Sequence, residues 1–368
     1  MTDRGHSEGI TMSGGGLYSL ATIGAKHVID AATPMVLEAI GSLPLQSVTS
    51  GFTLSDMGTA DAGTSLSMIT RAIDAVRARA PQAPITVIYS DQPRNDFNAL
   101  IANIYGLGSY ESYLERHRAI YPLVSGTSFY KQIVPSETLD IGFSATAMHW
   151  LSTKVCNISN HVQAVGAQGE ELAAFRQQAH RDWRQILLHR ARELKPGGKL
   201  VLINFARDEQ GRYLGNTDGI NMFDTFNQIW LDFLAQGRIS RAEYENMTLP
   251  QYYNSVEEFS APLLDRSDPV YQAGLRLDHI ETRIVKCPYA EAYGEHGDAA
   301  RFAAEYIPTI RSWNESIFLN GLDSERPLAE RQQIIEDYYG TYGAMVRDSP
   351  AGHGMDYVHA YTVISKTT

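Results

Sequence analysis

Hydrophobic and polar positions along the first 210 residues predict strands and helices in alternation. Apolar residues recur at helical spacing over 24–40, 66–79 and 169–194, and apolar runs typical of strands occupy 48–56, 85–89, 133–147 and 200–205. The helix over 169–194 is expected to end at the Lys-Pro-Gly-Gly-Lys run of 195–199, because proline and paired glycines do not continue a helix. Strands that alternate with helices and read as uninterrupted apolar runs are typical of a mostly parallel sheet covered on both faces. The pattern therefore predicts a doubly wound α/β core.

The second part of the chain has a different pattern, with helices that are rich in aromatic residues and few strands. Strand character returns at 282–285 and 357–364. We therefore predict an α/β core formed by residues 1–210 together with 276–289 and 351–368. Residues 211–275 and 290–350 are predicted to form an inserted α-helical cap that lines a substrate pocket.

Composition narrows the class of protein. The chain has 368 residues, 43% of them hydrophobic, and a net charge of −11 without a basic block, which argues against nucleic acid as a partner. No segment approaches the length of apolar sequence that spans a bilayer, and the N-terminus has no apolar signal segment, so we expect a soluble cytoplasmic protein without a membrane partner. Cys156 and Cys287 lie far apart and outside any Cys/His cluster. They predict two buried thiols, and neither a disulfide framework nor a metal site.

Acidic and glycine residues follow the first two predicted strands. Asp56, Gly58, Asp61 and Gly63 follow one strand, and Asp91 follows the next. Ligands of an open parallel sheet bind at this edge. The turn lacks the lysine of a nucleotide triphosphate-binding loop and the spacing of a dinucleotide-binding loop, and its acids suit a positively charged cofactor such as S-adenosylmethionine. An ordinary strand-to-helix turn is the alternative interpretation.

His149 and Trp150 stand side by side where the strand region of 133–147 ends. Both rings carry N–H donors, which would hold an anionic or carbonyl oxygen in an apolar pocket. Taken alone, the pair also fits ordinary packing at the rim of a core.

Five motifs in order along the chain resemble those of the SABATH methyltransferases, a family that includes salicylate, benzoate, jasmonate and indole-acetate carboxyl methyltransferases and theobromine-type enzymes. The resemblance covers most of the first 255 residues. The motifs are Tyr18 in a glycine-rich segment, Asp56-Met57-Gly58, Asp91-Gln92-Pro93-Arg94-Asn95-Asp96-Phe97-Asn98, Gly126-Thr127-Ser128-Phe129-Tyr130 and Met148-His149-Trp150-Leu151-Ser152.

The resemblance implies a class I methyltransferase core, a helical cap and a homodimer, with S-adenosylmethionine as cofactor and S-adenosylhomocysteine as product. The positions that match the family's cofactor-binding residues are Tyr18, Thr22, Asp56, Gly58, Asp61, Asp91, Gln92, Ser128 and Phe129. The positions that match its substrate-binding residues are Thr146, His149, Trp150, Phe223 and Tyr252. His149 and Trp150 would be the catalytic pair, orienting the acceptor rather than moving protons.

The chain departs from the family at the acceptor side. Ala25 stands where the family has a glutamine that binds the substrate carboxylate, Lys26 is the nearest polar neighbour, and Thr146 stands where the family often has tyrosine. The leading hypothesis is methyl-ester formation on a small, partly apolar carboxylic acid, which is already ionised at neutral pH and needs neither a base nor a metal. Methylation of nitrogen or of a phenol, with His149 as a base, is the alternative. A cofactor-binding protein without catalysis is the third hypothesis, because Ala25 and Thr146 erode the acceptor site.

Overall fold

The computed structural model describes residues 19, 22–45 and 51–367. Its strands are β1 (Phe52–Met57), β2 (Ile85–Ser90), β3 (Ile120–Ser125), β4 (Leu139–Ala145), β5 (Leu194–Arg207), β6 (Asn254–Ser255), β7 (Leu275–Val285) and β8 (Tyr357–Lys366). Its helices are α1 (Ile23–Ser42), α2 (Leu66–Arg79), α3 (Phe97–Ile104), α4 (Gly169–Glu193), α5 (Met222–Ala235), α6 (Arg241–Asn246), α7 (Val256–Leu264), α8 (Pro269–Gln272), α9 (Pro288–His296), α10 (Ala299–Gly321) and α11 (Leu328–Asp348).

The strands form a sheet in the order β3-β2-β1-β4-β5-β8-β7, and the short β6 pairs with β5. The five strands from β3 to β5 are parallel, whereas β8 runs antiparallel to both of its neighbours. The order reverses between β1 and β4, so their carboxyl ends open a crevice there. The predicted mostly parallel, doubly wound α/β fold is confirmed.

Helices cover both faces of this sheet. Helices α1, α2 and α3 pack on one face, where apolar side chains such as Val36 and Ile69 join those of β1, β2 and β4 in one core. Helices α4, α7 and α8 pack on the other face, where Ile186 and Phe259 contact the opposite side of the same strands. With both faces covered, the central strands are buried almost throughout, which explains their uninterrupted apolar runs.

Helices α5, α10 and α11 pack on one another through aromatic rings that are continuous with the core of α1 and α2. The ring of Trp230 on α5 stacks on Tyr338 of α11 at 4.3 Å between centroids, and Phe318 of α10 lies against both rings. Helices α7 and α8 instead pack against α4 and β7. The division into core and cap at the predicted boundaries stays a prediction.

Most predicted elements are present, but β4 begins at Leu139 rather than at 133 and β7 begins at Leu275 rather than at 282. Two further differences have physical reasons. The Lys-Pro-Gly-Gly-Lys run does not separate a helix from a later strand, because it lies inside β5, where the pairing with β4 jumps from Leu194 to Lys199. The sequence reading missed β3, an edge strand that contains Pro122 and is largely exposed, so that its apolar pattern is weak.

Two further predictions bear on the surface. Cys287 is buried as expected, but Cys156 is half-buried, because it lies in the irregular segment between β4 and α4. Within 19, 22–45 and 51–367, no helix is long and apolar enough to cross a membrane.

Candidate functional site

The turn that follows β1 is built by residues in the left-handed backbone region. Gly58 has a φ of +77°, and Ala60 and Ala62 adopt φ values of 49° and 62°. A Cβ at Gly58 would overlap the Cβ of Ala147, which lies beyond β4. Glycine is therefore required there both for its conformation and for the close approach of the two chain segments.

Two carboxylates lie at the ends of β1 and β2, as the sequence predicts, and Asp56 is buried whereas Asp91 is half-buried. Asp56 accepts hydrogen bonds from the hydroxyls of Ser65 at 2.6 Å and Thr59 at 3.0 Å, and Asp91 accepts one from the backbone N–H of Ala60 at 2.7 Å. Burial raises the pKa of Asp56 to about 6 and also raises the pKa of Asp91. Because burial disfavours their charged forms, both groups would be stabilised by a cationic ligand at this edge of the sheet.

Asp61 of this turn is hydrogen-bonded to Ser19. Its carboxylate accepts hydrogen bonds from the backbone N–H and the hydroxyl of Ser19, and from the backbone N–H of Gly63 at 3.2 Å. The amide of Asn103 holds its carbonyl oxygen at 2.9 Å, and Asn95 holds that of Ala60 at 2.7 Å. Asn95, which precedes α3, and Asn103, in the last turn of α3, thus hold the backbone of the glycine turn.

Four other positions were predicted to bind the cofactor, namely Gln92, Ser128, Thr22 and Tyr18. Gln92 is half-buried and its backbone N–H donates to Asp91 at 2.7 Å, while Ser128, also half-buried, follows β3 at the same sheet edge. Thr22 is buried just before α1. Tyr18 lies outside the described residues.

Phe129 meets the glycine turn and is held from behind by a buried ion pair. Its ring carbon Cε1 lies 3.8 Å from the position that a Cβ of Gly58 would take. The guanidinium of Arg190 donates to the carbonyl oxygens of Phe129 at 3.0 Å and Lys131 at 2.8 Å, and its Nε pairs with Glu193 at 2.6 Å. Since this arginine and its partner are fully buried, removal of either would leave an unpaired charge in the core.

The segment that carries His149 and Trp150 is anchored on both sides. The hydroxyl of Tyr130 donates to the carbonyl oxygen of Trp150. The backbone N–H and the hydroxyl of Ser152 donate to Asp182 of α4 at 2.8 and 2.6 Å. Because the segment is irregular, these contacts replace the hydrogen bonds that a strand or helix would supply.

His149 lies in an aromatic environment. Its ring centroid is 4.7 Å from that of Phe205, 5.4 Å from that of Trp150 and 6.0 Å from that of Tyr253. Its Nδ1 is buried and has no hydrogen-bond partner within the described ranges. Burial lowers the pKa of His149 to about 3, so the imidazole is neutral at physiological pH.

His149 and Trp150 line a cavity that opens to solvent and that, together with its open part, holds about 460 Å³ of empty space. Its lining residues are Thr22, Ala25, Thr146, His149, Trp150, Phe205, Leu214, Gln251, Trp313, Met355 and Tyr357. No lysine, arginine, aspartate or glutamate is among the described residues that line it. Thr146 has a φ of 54°, and a β-branched residue in this region is strained, as happens at functional sites.

Two predicted substrate residues do not line this cavity. Phe223 is fully buried one layer behind it, with its ring 6.1 Å from that of Tyr253. Tyr252 turns the other way: its hydroxyl accepts from Arg176 at 3.1 Å and donates to Glu258 at 3.1 Å. The ring of the next residue, Tyr253, is the one that faces His149.

Sequence reasoning missed several cavity residues, namely Phe205, Leu214, Gln251, Trp313, Met355 and Tyr357. Gln251 is next to Tyr252, so its motif was already noted, but the others come from distant segments. Tyr357 lies against the backbone of α1, where a Cβ at Gly24 would overlap its ring. Lys26 does not line the cavity, because its Nζ pairs with Asp30 at 2.6 Å on the partly exposed side of α1.

Comparisons with known proteins agree on one family. The family model described as "SAM dependent carboxyl methyltransferase" matches residues 10–364. Methyltransferase LUC1 from Fusarium sp is 27% identical over 70% of this chain and 68% of that protein. Indole-3-acetate O-methyltransferase 1 from Arabidopsis thaliana is 25% identical over 56% of this chain and 59% of that protein. The solved structure of a loganic acid methyltransferase with SAH superposes with a TM-score of 0.73 at 18% identity, over 97% of this chain and 99% of that one, and shares the fold.

Proposed function

Because the chain belongs to the family of SAM-dependent carboxyl methyltransferases, the SABATH family, we propose that it forms the methyl ester of a small, partly apolar carboxylic acid. The observation that carries the proposal is the neutral state of His149, whose pKa burial lowers to about 3. A carboxylate is ionised at neutral pH and needs no base, whereas a phenol has to lose a proton. An imidazole with so low a pKa is a poor base, so the cavity suits a carboxylate acceptor.

The residues at the carboxyl ends of β1 and β2 fit S-adenosylmethionine as the cofactor. When bound, this cofactor supplies a methyl group on a positively charged sulfur. Desolvation raises the pKa of the buried Asp56 and of the half-buried Asp91, so a cation beside them is favourable. Asp56 would face the methionine ammonium, Asp91 the ribose hydroxyls and Phe129 the adenine. Gly58 lets the segment of Ala147 and the ring of Phe129 approach this turn closely.

The residues on the acceptor side bind the acid, orient its carboxylate and shield it from water. The rings of His149 and Trp150 carry the N–H groups that would direct a carboxylate oxygen, and the rings of Phe205, Trp313 and Tyr357 exclude water from the cavity. The contact between Ala147 and Gly58 brings the acceptor segment against the cofactor turn. Holding two reactants in a productive geometry contributes roughly 7–11 kcal/mol to catalysis.

The cavity also restricts the class of acid. Its lining is aromatic and aliphatic, which suits an acid that carries a ring system or a short branched chain. The lining has no described charged residue that would pair with a second ionised group of the substrate, and burying an unpaired charge is unfavourable. We therefore propose a monocarboxylic acid.

Three further expectations are proposals that rest on the family resemblance. They are a helical cap at the predicted boundaries, a homodimer and a cytoplasmic location. Tyr121 and Leu123 of the edge strand β3 are 54% and 53% exposed, and an apolar strand edge of this kind supports association with a second copy. Sedimentation equilibrium at micromolar concentration tests the homodimer, and a monomer would refute it.

Methyl transfer to a panel of acids tests the function. Enzyme and methyl-labelled cofactor are incubated with benzoate, cinnamate, indole-3-acetate and geranate, together with phenol and imidazole. We expect a labelled product from at least one acid that dilute base hydrolyses back to the acid. Product from phenol or imidazole alone would favour the alternative acceptor class, and no methyl transfer to any acid would refute the proposal.

Alanine variants at His149 and Trp150 test the placement of the acceptor. Each should lose turnover while the affinity for S-adenosylhomocysteine, measured by calorimetry, stays within about twofold, because neither residue belongs to the cofactor turn. Unchanged turnover in both variants would place the acceptor elsewhere.

A further inference from the structure

We propose that Gln251 binds the acceptor carboxylate through its side-chain amide nitrogen, an inference that rests on the proposed function. Gln251 lies in the loop between α6 and β6, lines the cavity and is 1% exposed. It forms a backbone bridge with Trp150, whose ring also lines the cavity. The amide and the indole therefore belong to one wall.

Backbone hydrogen bonds join the loop of Gln251 to the His149 segment along its length. The backbone N–H of Leu151 donates to the carbonyl oxygen of Pro250 at 2.8 Å, and that of Tyr252 donates to the carbonyl oxygen of His149 at 3.2 Å. The position of Gln251 relative to His149 is thus fixed by backbone contacts on both sides, which is what a binding group needs to act with little loss of entropy.

The neighbouring tyrosine sets the orientation of the amide. The hydroxyl of Tyr253, a residue that is 2% exposed, donates to Gln251 Oε1 at 3.1 Å. With its oxygen engaged, the amide has two N–H donors left on Nε2, and these make no hydrogen bond to any of the residues described. Because Gln251 lines the cavity, a ligand there that accepts hydrogen bonds would pair with these donors.

No charged side chain of the described residues offers a competing anchor in the cavity. Ala25 of α1 presents only a methyl group, and Lys26 is paired with Asp30 away from the cavity. No cationic side chain of the described residues lines the cavity, so a carboxylate has to be held by neutral donors. Gln251 supplies two such donors, beside the rings of His149 and Trp150.

Kinetics with Gln251→Leu test this inference on the acid that wild-type enzyme methylates best in the panel above. We expect the KM for that acid to rise about 10- to 100-fold, the range of a lost hydrogen bond to a charged group, with a smaller change in kcat. Binding of S-adenosylhomocysteine should be unchanged, which shows that the variant is folded. An unchanged KM would overturn the inference and leave the proposed function standing, whereas a wild-type enzyme inactive on every acid would refute the proposed function itself.

Two further variants separate carboxylate binding from a structural role. Tyr253→Phe frees the amide to rotate, so the KM should rise by a smaller factor without loss of fold. Ala25→Gln, added to Gln251→Leu, places an amide on the opposite wall and should recover part of the lost affinity. If Gln251 had only a structural role, Gln251→Leu would weaken binding of both the acid and the corresponding primary alcohol, measured with S-adenosylhomocysteine present. We expect Gln251→Leu to weaken only the acid.

Discussion

Replacement of Asp56 by asparagine tests two effects of this carboxylate: its effect on the stability of the folded protein and its effect on the affinity for the cofactor. Asp56 is 3% exposed, and burial raises its pKa from the ordinary value of 3.8 to about 6. Each pKa unit corresponds to about 1.4 kcal/mol, so ionised Asp56 destabilises the folded state by about 3 kcal/mol relative to the unfolded chain. An amide keeps an oxygen for the hydroxyls of Ser65 and Thr59 and carries no charge.

The sign of the pH dependence follows from the direction of this shift. A carboxyl whose pKa is higher in the folded state contributes stability while it is protonated, and this contribution is lost as the pH rises from about 4 to about 6. Other acids titrate in both proteins, so the informative quantity is the difference between Asp56→Asn and wild type. We expect the variant to gain about 2 kcal/mol in the free energy of unfolding relative to wild type between pH 4.5 and 7.5.

Urea unfolding at these two pH values measures the difference. Asp140→Asn is the matched control, because that carboxylate of β4 pairs with Lys195 at 2.6 Å and its removal should destabilise the protein. A difference for Asp56→Asn that does not depend on pH would refute the reasoning. The same variant should lose at least tenfold in affinity for S-adenosylmethionine, because the charge that faces the cationic cofactor is gone. Unchanged affinity would remove Asp56 from the cofactor site.

Three other variants or conditions test the site. Gly58→Ala should abolish cofactor binding and should destabilise the protein more than Gly197→Ala does. Both positions have φ near +78°, but only the Cβ at Gly58 would overlap Ala147. Equal losses of stability in urea unfolding would contradict this. The pH profile of kcat should show no ionisation from His149 between pH 5 and 9, because its pKa is about 3, and a rise in rate centred near pH 6.5 would indicate a base. Lys26→Met should leave the KM for the acid within about twofold, and a large increase would mean that this lysine binds substrate.

The parallel core could be predicted from the sequence because the patterns that indicate it are local. Apolar runs such as 85–89 and the helical spacing of 66–79 reflect burial on one or both faces, and each is visible within a short window. The acids after two of these runs, Asp56 and Asp91, were predicted to lie together because parallel strands end at the same edge, and the structure places them there. The exposed edge strand β3 gave no comparable signal.

The residues that line the acceptor cavity could be predicted only in part from the sequence. His149 and Trp150 were identified through their motif, but the choice between Tyr252 and Tyr253 depends on which way each ring turns from an irregular loop. An irregular loop has no fixed side-chain period, so adjacent residues cannot be assigned to a face.

The sequence by itself determined the alternation of the central strands and helices, the family and the positions of the acids and glycine at the carboxyl edge of the sheet. Only the tertiary structure decided which residues meet across the cavity, because Gln251, Trp313 and Tyr357 come from segments far apart in the chain. It also decided the protonation state of His149, because its pKa is lowered by burial, and burial depends on the tertiary structure. Local periodicity records which side of an element is buried, whereas a site is made by the contacts between elements.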